Sequence, residues 1–364
     1  MRVIVSAGGT GGHIYPALAV INKIKEMEPN SEILYIGTTD RMESTIIPKQ
    51  NIKYVGIEMK GLNRKNIFKN IKVISSLAKA ITKCKEIINE FKPDIVLGIG
   101  GYITFPVIKA ASSLGYKTFI HEQNSIPGLS NKILKHNATV IGVSLKESLK
   151  YFDKSKTYFT GNPRSEEVVN AKPVLKSKYN LSKNKKLVLI VMGSLGSLTI
   201  NNIMKEILPK FKGKDYEVLF VSGKNYYEDF SKLKNIPSNV KIVDFLEDMP
   251  GVLKNVDLIV SRAGASTIAE ITATQLPSIL VPSPYVTHNH QYKNAKVLED
   301  SGASILIEEK NLNADLLIDK IDNILNDQKK YDKMKKASAK LGIKNSASTI
   351  YKILRQTIDG DNNG

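Results

Sequence analysis

A glycine-rich turn near the start of the chain joins an apolar run, residues 2–6, to a helical pattern that begins at Pro16. Residues 7–13 read A-G-G-T-G-G-H. Four glycines in this place let the backbone approach a ligand closely, and the N–H groups at a helix N-terminus attract anions. The pattern predicts an anion site. A phosphate is the favoured ligand, and a plain strand-to-helix turn is the alternative.

The spacing excludes two common phosphate-binding motifs. No lysine follows the glycines, as a Walker loop requires. A dinucleotide loop needs G-x-G-x-x-G, whereas Ile14 stands where the last glycine would be. Residues 37–39, which follow the second predicted strand, read G-T-T and offer no acidic ribose ligand. Nicotinamide chemistry is therefore disfavoured.

Three side chains in the first half of the chain could act on a substrate. His13 closes the glycine turn and Glu122 follows a predicted strand, so either could be a general base. His13 could equally donate a hydrogen bond to a phosphate or have a structural role. Arg164 follows G-N-P at 161–163 and could reach a phosphate or lie on the surface as an ordinary arginine.

The second half repeats the order of strand, small-residue turn and helix. Residues 193–197 read G-S-L-G-S, and R-A-G-A-S-T at 262–267 leads into a helix that Ser266 or Thr267 could cap. Glu270 lies one turn further along. It could accept hydrogen bonds from a ribose diol, or it could be a surface glutamate that the helix dipole favours.

A metal site is disfavoured. His288 and His290 are two residues apart, but no cysteine or acidic residue completes a ligand set. Gln291 and Asn294 share one helix face and suit hydroxyl or amide ligands. The chain's D-x-D occurs in the tail, at 359–361. We expect no metal and no cofactor.

Apolar runs that alternate with helical patterns predict parallel sheets covered on both faces. The predicted strands are 2–6, 33–36, 94–98, 117–121, 139–143, 157–160, 187–192, 217–221, 240–243, 257–261, 278–281 and 303–307. The main predicted helices are 16–27, 67–91, 104–114, 199–211 and 345–358. The fold class is α/β, with two Rossmann-like, doubly wound domains whose parallel sheets face a cleft. Ligands of such sheets bind beyond the carboxyl ends of the strands.

The length of the chain and the positions of its polar and helix-breaking stretches predict the domain organisation. A chain of 364 residues is long for one core. We predict an N-terminal domain at 1–162 and a C-terminal domain at 163–342, with a last helix at 343–358 that packs back on the first domain. Residues 359–364 are predicted to be a disordered tail. The stretch 172–186 contains six lysines and is the best candidate for a linker.

Composition narrows the partners and the compartment. The net charge of +18 favours anionic partners, although lysine-rich solvated surface is an equal explanation. A single cysteine, Cys84, fits a reducing compartment. No signal peptide and no apolar run of bilayer length is visible, so we expect a cytoplasmic protein that can lie on a membrane. No nucleic-acid motif is present, and nucleic acid is not an expected partner.

Six ordered motifs resemble the MurG family of bacterial N-acetylglucosaminyltransferases, in glycosyltransferase family 28. They read G-G-T-G-G-H, H-E-Q-N, G-N-P-R, the 193–197 turn, S-R-A-G-A-S-T-I-A-E and H-Q-Y-K-N-A. The resemblance extends from Arg2 to about Lys352 and implies a GT-B fold. It implies inverting transfer of N-acetylglucosamine from UDP-N-acetylglucosamine to the C4 hydroxyl of the muramoyl-pentapeptide of lipid I. The product would be lipid II, for peptidoglycan synthesis.

The resemblance also implies where the substrates bind. His13 matches a family histidine near the acceptor, and His13 and Glu122 are the candidate catalytic residues. Leu246 would meet the uracil through its backbone. The implied donor contacts are Thr10, Gly11, Gly12, Asn124, Arg164, Ser194, Leu246, Ala265, Ser266, Thr267, Ile268, Ala269, Glu270 and Gln291. The second glycine turn departs from the G-G-S-Q-G-A of many relatives at Met192, Leu195 and Ser197.

A lipid-linked acceptor predicts a peripheral protein on the anionic, cytoplasmic face of the cell membrane. Residues 60–92 contain nine basic and two acidic side chains, a net charge of 9 − 2 = +7. Phe68 and Leu77 are predicted to lie among the lysines. The predicted core stripe is Ile67, Ile71, Ile74, Ala78 and Ile81, and the predicted membrane-surface residues are Lys65, Phe68, Lys69 and Lys72. The alternatives are a UDP-N-acetylglucosamine 2-epimerase of similar fold and a non-catalytic basic membrane-binding module.

Overall fold

The computed structural model describes residues 1–59, 70–193, 197–286 and 289–360. The chain divides into two compact units. The N-terminal unit comprises Met1–Arg164 and Asn345–Gly364, and the C-terminal unit comprises Ser165–Lys344. The predicted linker at 172–186 is wrong, because this stretch lies inside the C-terminal unit. The Val174 N–H donates to the Gly251 carbonyl, and Asn255 Nδ2 donates to the Val174 carbonyl, which anchors the stretch to its own unit.

The described residues of the N-terminal unit form a seven-stranded, all-parallel sheet. The strand order is β3-β2-β1-β4-β5-β6-β7, so the order reverses between β1 and β4. Ligand sites of open α/β sheets lie at such a reversal. The strands are β1 Arg2–Ser6, β2 Glu32–Thr38, β3 Lys53–Ile57, β4 Ile95–Gly98, β5 Thr118–Glu122, β6 Val140–Val143 and β7 Thr157–Phe159.

Helices cover both faces of this sheet, as its apolar strands require. They are α1 Gly11–Met27, α2 Met42–Ile46, α3 Asn70–Phe91, α4 Thr104–Ser113, α5 Leu129–Leu134 and, from the end of the chain, α14 Ser346–Asp359. Helix α14 packs on α1 and places Ile350, Ile353 and Leu354 in the core beside Ile21 and Ile24. The last helix is therefore part of the N-terminal unit.

Helix α3 tests two residues of the predicted core stripe, Ala78 and Ile81. Among the side chains described on this helix, from residue 75 onward, Ala80, Cys84, Ile87 and Ile88 are buried, whereas Ala78 is exposed. Leu77, predicted among the lysines, is partly buried one turn before Ala80. Of the predicted stripe, Ile81 packs against the core as predicted and Ala78 does not, while the side chains of Ile67, Ile71 and Ile74 are not described.

The predicted membrane residues are not tested by the structure. Lys65, Phe68 and Lys69 lie outside the described residues, as do the tail residues 361–364. Lys72 falls in α3, but its side chain is not described. In the described part of the chain, no helix is long and apolar enough to cross a bilayer.

The described residues of the C-terminal unit form a six-stranded parallel sheet, in the order β10-β9-β8-β11-β12-β13. The order reverses between β8 and β11. The strands are β8 Leu187–Val191, β9 Glu217–Val221, β10 Val240–Val243, β11 Leu258–Ser261, β12 Ser278–Leu280 and β13 Ser304–Leu306. The helices are α6 Arg164–Asn170, whose Val168 packs in the core of this unit, α7 Leu198–Ile207, α8 Tyr227–Ser231, α9 Met249–Leu253, α10 Ala265–Ala273, α11 His290–Asp300, α12 Ala314–Leu325 and α13 Gln328–Leu341. Two parallel-sheet α/β units confirm the predicted fold class.

Candidate functional site

The turn after β1 is packed against the turn after β4, backbone against backbone. The Gly8 N–H donates to the Gly100 carbonyl at 3.2 Å. A Cβ on Gly101 would stand 2.4 Å from the Gly8 carbonyl oxygen, so no side chain fits there. Gly9 has a φ of +88°, which glycine adopts without strain. The first two glycines therefore shape a contact inside the protein.

Glu43, on α2, is a buried carboxylate that binds one N–H group of the glycine turn. Its Oε2 accepts from the Gly9 N–H at 3.0 Å, and its Oε1 accepts from the Thr38 N–H at 3.2 Å and hydroxyl at 2.8 Å. The side chain is fully buried. The anion that the Gly9 N–H meets is therefore a carboxylate of the same chain, and ligand binding by Thr10, Gly11 and Gly12 stays a prediction. Residues 10–12 are the part of the turn that can meet a substrate.

Sequence reasoning missed Glu43, because its partner is 34 residues away in the chain. The glycines at positions 8 and 37 are the sequence feature that reflects this contact. A Cβ on Gly8 would stand 2.3 Å from Glu43 Oε1, and one on Gly37 would stand 2.7 Å from Glu43 Cγ. These two glycines make room for the carboxylate.

His13 lies in the first turn of α1, which begins at Gly11 and not at the predicted Pro16. Its Nδ1 is 3.0 Å from the Gly8 carbonyl oxygen. Because a carbonyl can only accept, Nδ1 carries the hydrogen. In the neutral imidazole, Nε2 then carries the lone pair that a general base needs. A Cβ on Gly100 would stand 2.5 Å from His13 Cδ2, so this glycine allows the ring its place.

Glu122, the other predicted base, is anchored by four N–H donors. Oε1 accepts from Asn124 N at 2.9 Å and Asn124 Nδ2 at 3.3 Å, and Oε2 accepts from Gly128 N at 3.0 Å and Asn131 Nδ2 at 2.9 Å. The residue is 2% exposed. Its carboxylate holds the 123–128 loop in place, and this geometry favours His13 over Glu122 as the proton acceptor.

His121 is a buried residue to which the sequence assigned no function. Its Nδ1 accepts from Gln123 Nε2 at 3.2 Å, and its Nε2 donates to the Gly161 carbonyl at 3.1 Å. Gln123 Nε2 also donates to the Ile99 carbonyl at 2.7 Å. Burial lowers the pKa of His121 to about 4, opposed by the hydrogen bond to Gly161. A neutral His121 therefore ties β5 to the G-N-P turn that precedes Arg164.

Arg164 is buried beside α1. Its guanidinium lies 5.3 Å from the centre of the Tyr15 ring, and its backbone N–H donates to Asn162 Oδ1 at 3.1 Å. Tyr15 in turn lies where a side chain on Gly11 would be, 3.1 Å from a Cβ at that position. The arginine therefore stands close to the exposed part of the glycine turn, where its charge can act on a phosphate.

In the C-terminal unit, α10 starts on Gly264, and no side chain caps it. The predicted cap by Ser266 or Thr267 is wrong, because both residues are already in the first turn. The first-turn N–H groups face the end of the helix, where an anion is favoured. Glu270 is 6% exposed and lies one turn further into the helix.

Arg262, which the sequence analysis left without a role, connects three loops of this unit. Its Nη2 pairs with Glu309 Oε2 at 2.5 Å and donates to Ser197 Oγ at 3.1 Å, and its Nη1 donates to the Val281 carbonyl at 3.0 Å. Arg262 and Glu309 are both buried. The pair fixes the segments that follow β8, β12 and β13 around the start of α10.

Two side chains of α11 also hold loops. Gln291 Oε1 accepts from the Ser283 N–H at 2.8 Å, which leaves its NH₂ group as the end that can donate to a ligand. Asn294 is fully buried, and its Nδ2 donates to the Ala263 carbonyl at 3.3 Å. The prediction that Asn294 binds a ligand beside Gln291 is therefore wrong.

The remaining predicted donor contacts differ in their exposure to solvent, and one of them is not described. The Leu246 side chain is part of the hydrophobic core, so that only its backbone can meet a base. Ile268 is likewise buried, while Ala265 and Ala269 are partly exposed. Ser194 lies outside the described residues.

Comparison with protein families gives two matches that together span most of the chain. The glycosyltransferase family 28 N-terminal domain matches residues 3–143, and the glycosyltransferase family 28 C-terminal domain matches residues 187–350. A Bacillus cytotoxicus protein is 45% identical over 360 residues, covering 98% of this chain and 99% of the relative. It is named UDP-N-acetylglucosamine–N-acetylmuramyl-(pentapeptide) pyrophosphoryl-undecaprenol N-acetylglucosamine transferase. A Bacillus pumilus protein of the same name is 43% identical with the same coverage.

Solved structures agree in fold. The crystal structure of MurG from Acinetobacter baumannii matches with a TM-score of 0.78 and 25% identity, covering 98% of this chain and 99% of that one. The UDP-GlcNAc 2-epimerase of Neisseria meningitidis matches with a TM-score of 0.69 and 16% identity, covering 98% of this chain and all of that one. At this lower identity, the second likeness concerns the fold alone.

Proposed function

The chain belongs to glycosyltransferase family 28, and on that premise we propose that it transfers N-acetylglucosamine from UDP-N-acetylglucosamine to N-acetylmuramyl-(pentapeptide) pyrophosphoryl-undecaprenol. One observation carries this proposal. Relatives of that name are 45% identical over 98% of the chain, with both family domains matched. The product is the disaccharide-linked lipid that peptidoglycan synthesis consumes.

The donor binds to the loops of the C-terminal unit. The start of α10 receives the diphosphate through backbone N–H groups, and the buried Glu270 accepts hydrogen bonds from the ribose. Leu246 offers its backbone to the uracil, and Gln291 donates its NH₂ group to the donor. The ion pair of Arg262 and Glu309 supports this proposal, because it holds the surrounding loops in one arrangement.

The reaction is an inverting displacement at the anomeric carbon of the donor sugar. The C4 hydroxyl oxygen of the muramoyl acceptor forms the new bond while the bond from that carbon to the diphosphate breaks, and UDP leaves with the electron pair. His13 Nε2 takes the hydroxyl proton. The tautomer that the Gly8 carbonyl selects supports this role. Arg164 and residues 10–12 stabilise the charge that develops on the leaving diphosphate.

The acceptor carries a lipid, so the protein works at the cytoplasmic face of the cell membrane as a peripheral protein. The basic segment with Lys65, Phe68, Lys69 and Lys72 contacts anionic lipid. A second apolar element is described in the same unit. Leu129 and Ile133 are one turn apart on α5 and are 50% and 46% exposed, with Lys132 between them. Exposed apolar side chains beside a lysine suit a membrane interface.

A transfer assay tests the proposal. The purified protein is incubated with radiolabelled UDP-N-acetylglucosamine and the undecaprenyl-linked muramoyl-pentapeptide, and label in the lipid fraction is measured. We expect label transfer and UDP release that both require the acceptor. Conversion of the donor to its 2-epimer without acceptor would instead support the epimerase alternative. No change in the donor under either condition would reject an activity on this nucleotide sugar.

A further inference from the structure

One peptide group connects a buried carboxylate to the candidate base. The N–H of Gly9 and the carbonyl of Gly8 belong to the same peptide unit. The N–H donates to Glu43 Oε2 at 3.0 Å, and the carbonyl oxygen is 3.0 Å from His13 Nδ1. We propose that Glu43 is a positioning residue that orients His13 and raises its basicity through this peptide. The inference rests on the proposed role of His13 as the base.

The peptide unit is held on all sides. Glu43 cannot move away, because its other oxygen accepts from both the N–H and the hydroxyl of Thr38. The Gly8 N–H is bound to the Gly100 carbonyl, and Gly101 lies directly against the Gly8 carbonyl. A rotation of the Gly8–Gly9 peptide would break its bonds to Glu43 and His13 together. The orientation of the carbonyl, and hence the Nδ1–H tautomer of His13, is thereby fixed.

Two tyrosines lie beside Glu43, and neither adds a second negative charge that could act on the peptide. Tyr35 and Tyr54 flank it, and burial first, then the charge of Glu43, raise the pKa of both phenols. Asp40 contributes to the rise at Tyr54. Both tyrosines therefore stay neutral. Their hydroxyls donate to backbone carbonyls, Tyr35 to Ala7 and Tyr54 to Thr38.

A charge at the N–H end of a peptide strengthens the acceptor at its carbonyl end. Hydrogen bonds in a chain polarise one another, and the effect is larger in a buried, low-dielectric place. The Gly8 carbonyl thus becomes a better acceptor for His13 Nδ1–H, and the imidazolium that forms when Nε2 takes a proton is stabilised. Glu43 would do through a peptide what the aspartate of a serine protease does by direct contact with its histidine.

The first test is nuclear magnetic resonance of the imidazole nitrogens, which needs no substrate. The chain has five histidines, so the spectrum can be assigned by substitution. In the wild-type protein we expect neutral His13 to be the Nδ1–H tautomer. In Glu43→Gln we expect a mixture of tautomers. An Nε2–H tautomer in the wild type, or an unchanged Nδ1–H population in a folded Glu43→Gln protein, would overturn the proposal.

The second test separates positioning from mere structural support. For Glu43→Gln we expect kcat to fall by about 10- to 100-fold, by analogy with the effect of residues that orient a metal-binding histidine. The Michaelis constant for donor should stay near the wild-type value. The acid limb of the kcat/KM profile should move to lower pH, because loss of the charge makes His13 less basic. A lower thermal midpoint with an unmoved acid limb would mean that Glu43 is structural.

Glu28→Gln is the matched control. Glu28 is in the same unit and also holds several donors, the N-terminal ammonium at 2.7 Å and the Tyr351 hydroxyl at 2.9 Å. We expect it to lower stability without changing the His13 tautomer or the acid limb; a shift equal to that of Glu43→Gln would contradict a specific path through the peptide. If Glu43→Gln does not fold, the tautomer of His13 in the wild-type protein decides whether the proposal holds. If no sugar transfer occurs, the tautomer test still stands, so the two proposals fail separately.

Discussion

The two units have the same order of strand, glycine-containing turn and helix. They differ in the sign of the buried charge at the turn, which is negative before α1 and positive before α10. In the N-terminal unit, a buried carboxylate, Glu43, receives the Gly9 N–H. In the C-terminal unit, a buried arginine, Arg262, holds the loops around the start of α10 and is balanced by Glu309. Under the proposed function, the first arrangement supports His13 as the proton acceptor, and the second leaves the start of α10 for the diphosphate of the donor. A glycine turn alone therefore does not define a phosphate site, because a buried carboxylate of the same chain can bind one of its N–H groups.

The largest effect is expected for a substitution of His13, the proposed base of the N-terminal unit. His13→Ala should lower turnover by ~10²–10⁴, the usual cost of losing a general base, while donor affinity stays close to the wild-type value. Steady-state rates with both substrates and calorimetry with UDP-N-acetylglucosamine measure the two quantities. His136→Ala, at an exposed histidine of the same unit, is the control. A change confined to the Michaelis constant for donor would make His13 a binding residue.

Arg262→Met tests the buried charge of the C-terminal unit. It leaves Glu309 buried without its partner, which typically costs about 3–5 kcal/mol of the free energy of unfolding. Urea denaturation measures the change. Arg262→Met combined with Glu309→Leu removes both charges and should recover most of the loss. A single variant as stable as the wild type would show that the pair does not hold the loops.

Acid should destabilise the N-terminal unit through His121. Its folded pKa of about 4 lies below the ordinary value of 6.5, so between these pH values the unfolded chain binds a proton that the folded protein does not. Stability is therefore lost as the pH falls from 6.5 to 4, on the order of 3 kcal/mol in all. Urea midpoints at pH 7, 5 and 4 measure this loss. His121→Gln should flatten the pH dependence, and His136→Gln should leave it steep; equal slopes in both variants would exclude His121.

Glu270→Ala tests the donor side of the comparison. It should weaken binding of UDP-N-acetylglucosamine by roughly 1.5–3 kcal/mol, the range for hydrogen bonds to a charged group. Calorimetry gives the affinity, and Glu299→Ala, at a partly exposed residue of the same unit, is the control. Unchanged affinity in Glu270→Ala would remove this residue from the ribose site.

Local pattern was sufficient to predict most of the fold. The apolar runs gave the strand positions to within about two residues, but β3 was missed. This edge strand is interrupted by Gly56 and is only partly buried, so its sequence has no continuous apolar run. The start of α1 was placed at Pro16 because glycines disfavour helix, whereas the observed helix begins at Gly11.

The site was predicted less completely, because its organising contacts are far apart in sequence. Glu43 meets Gly9 across 34 residues, and Arg262 meets Glu309 across 47. No periodicity connects such positions. Glu43 lies on another element than the turn it contacts, and Arg262 lies in a motif, but its partner Glu309 does not. The same reason explains why Glu122 was predicted as a possible base and Asn294 as suited to a ligand, although both hold loops.

The smallest effect is expected for single lysines on the surface, where the two units can be compared in their binding to membranes. If the N-terminal unit alone meets the membrane, Lys69→Gln should weaken binding to anionic vesicles by about 1 kcal/mol, roughly fivefold, since each lysine near the surface contributes that much. Lys132→Gln, beside the exposed Leu129 and Ile133, should have a similar effect. Lys333→Gln, at an exposed position on α13 of the C-terminal unit, should have none. Co-sedimentation at low salt measures the partition, and high salt should abolish the differences. Equal loss in all three variants would mean that the protein binds through its overall charge of +18 and not through one unit.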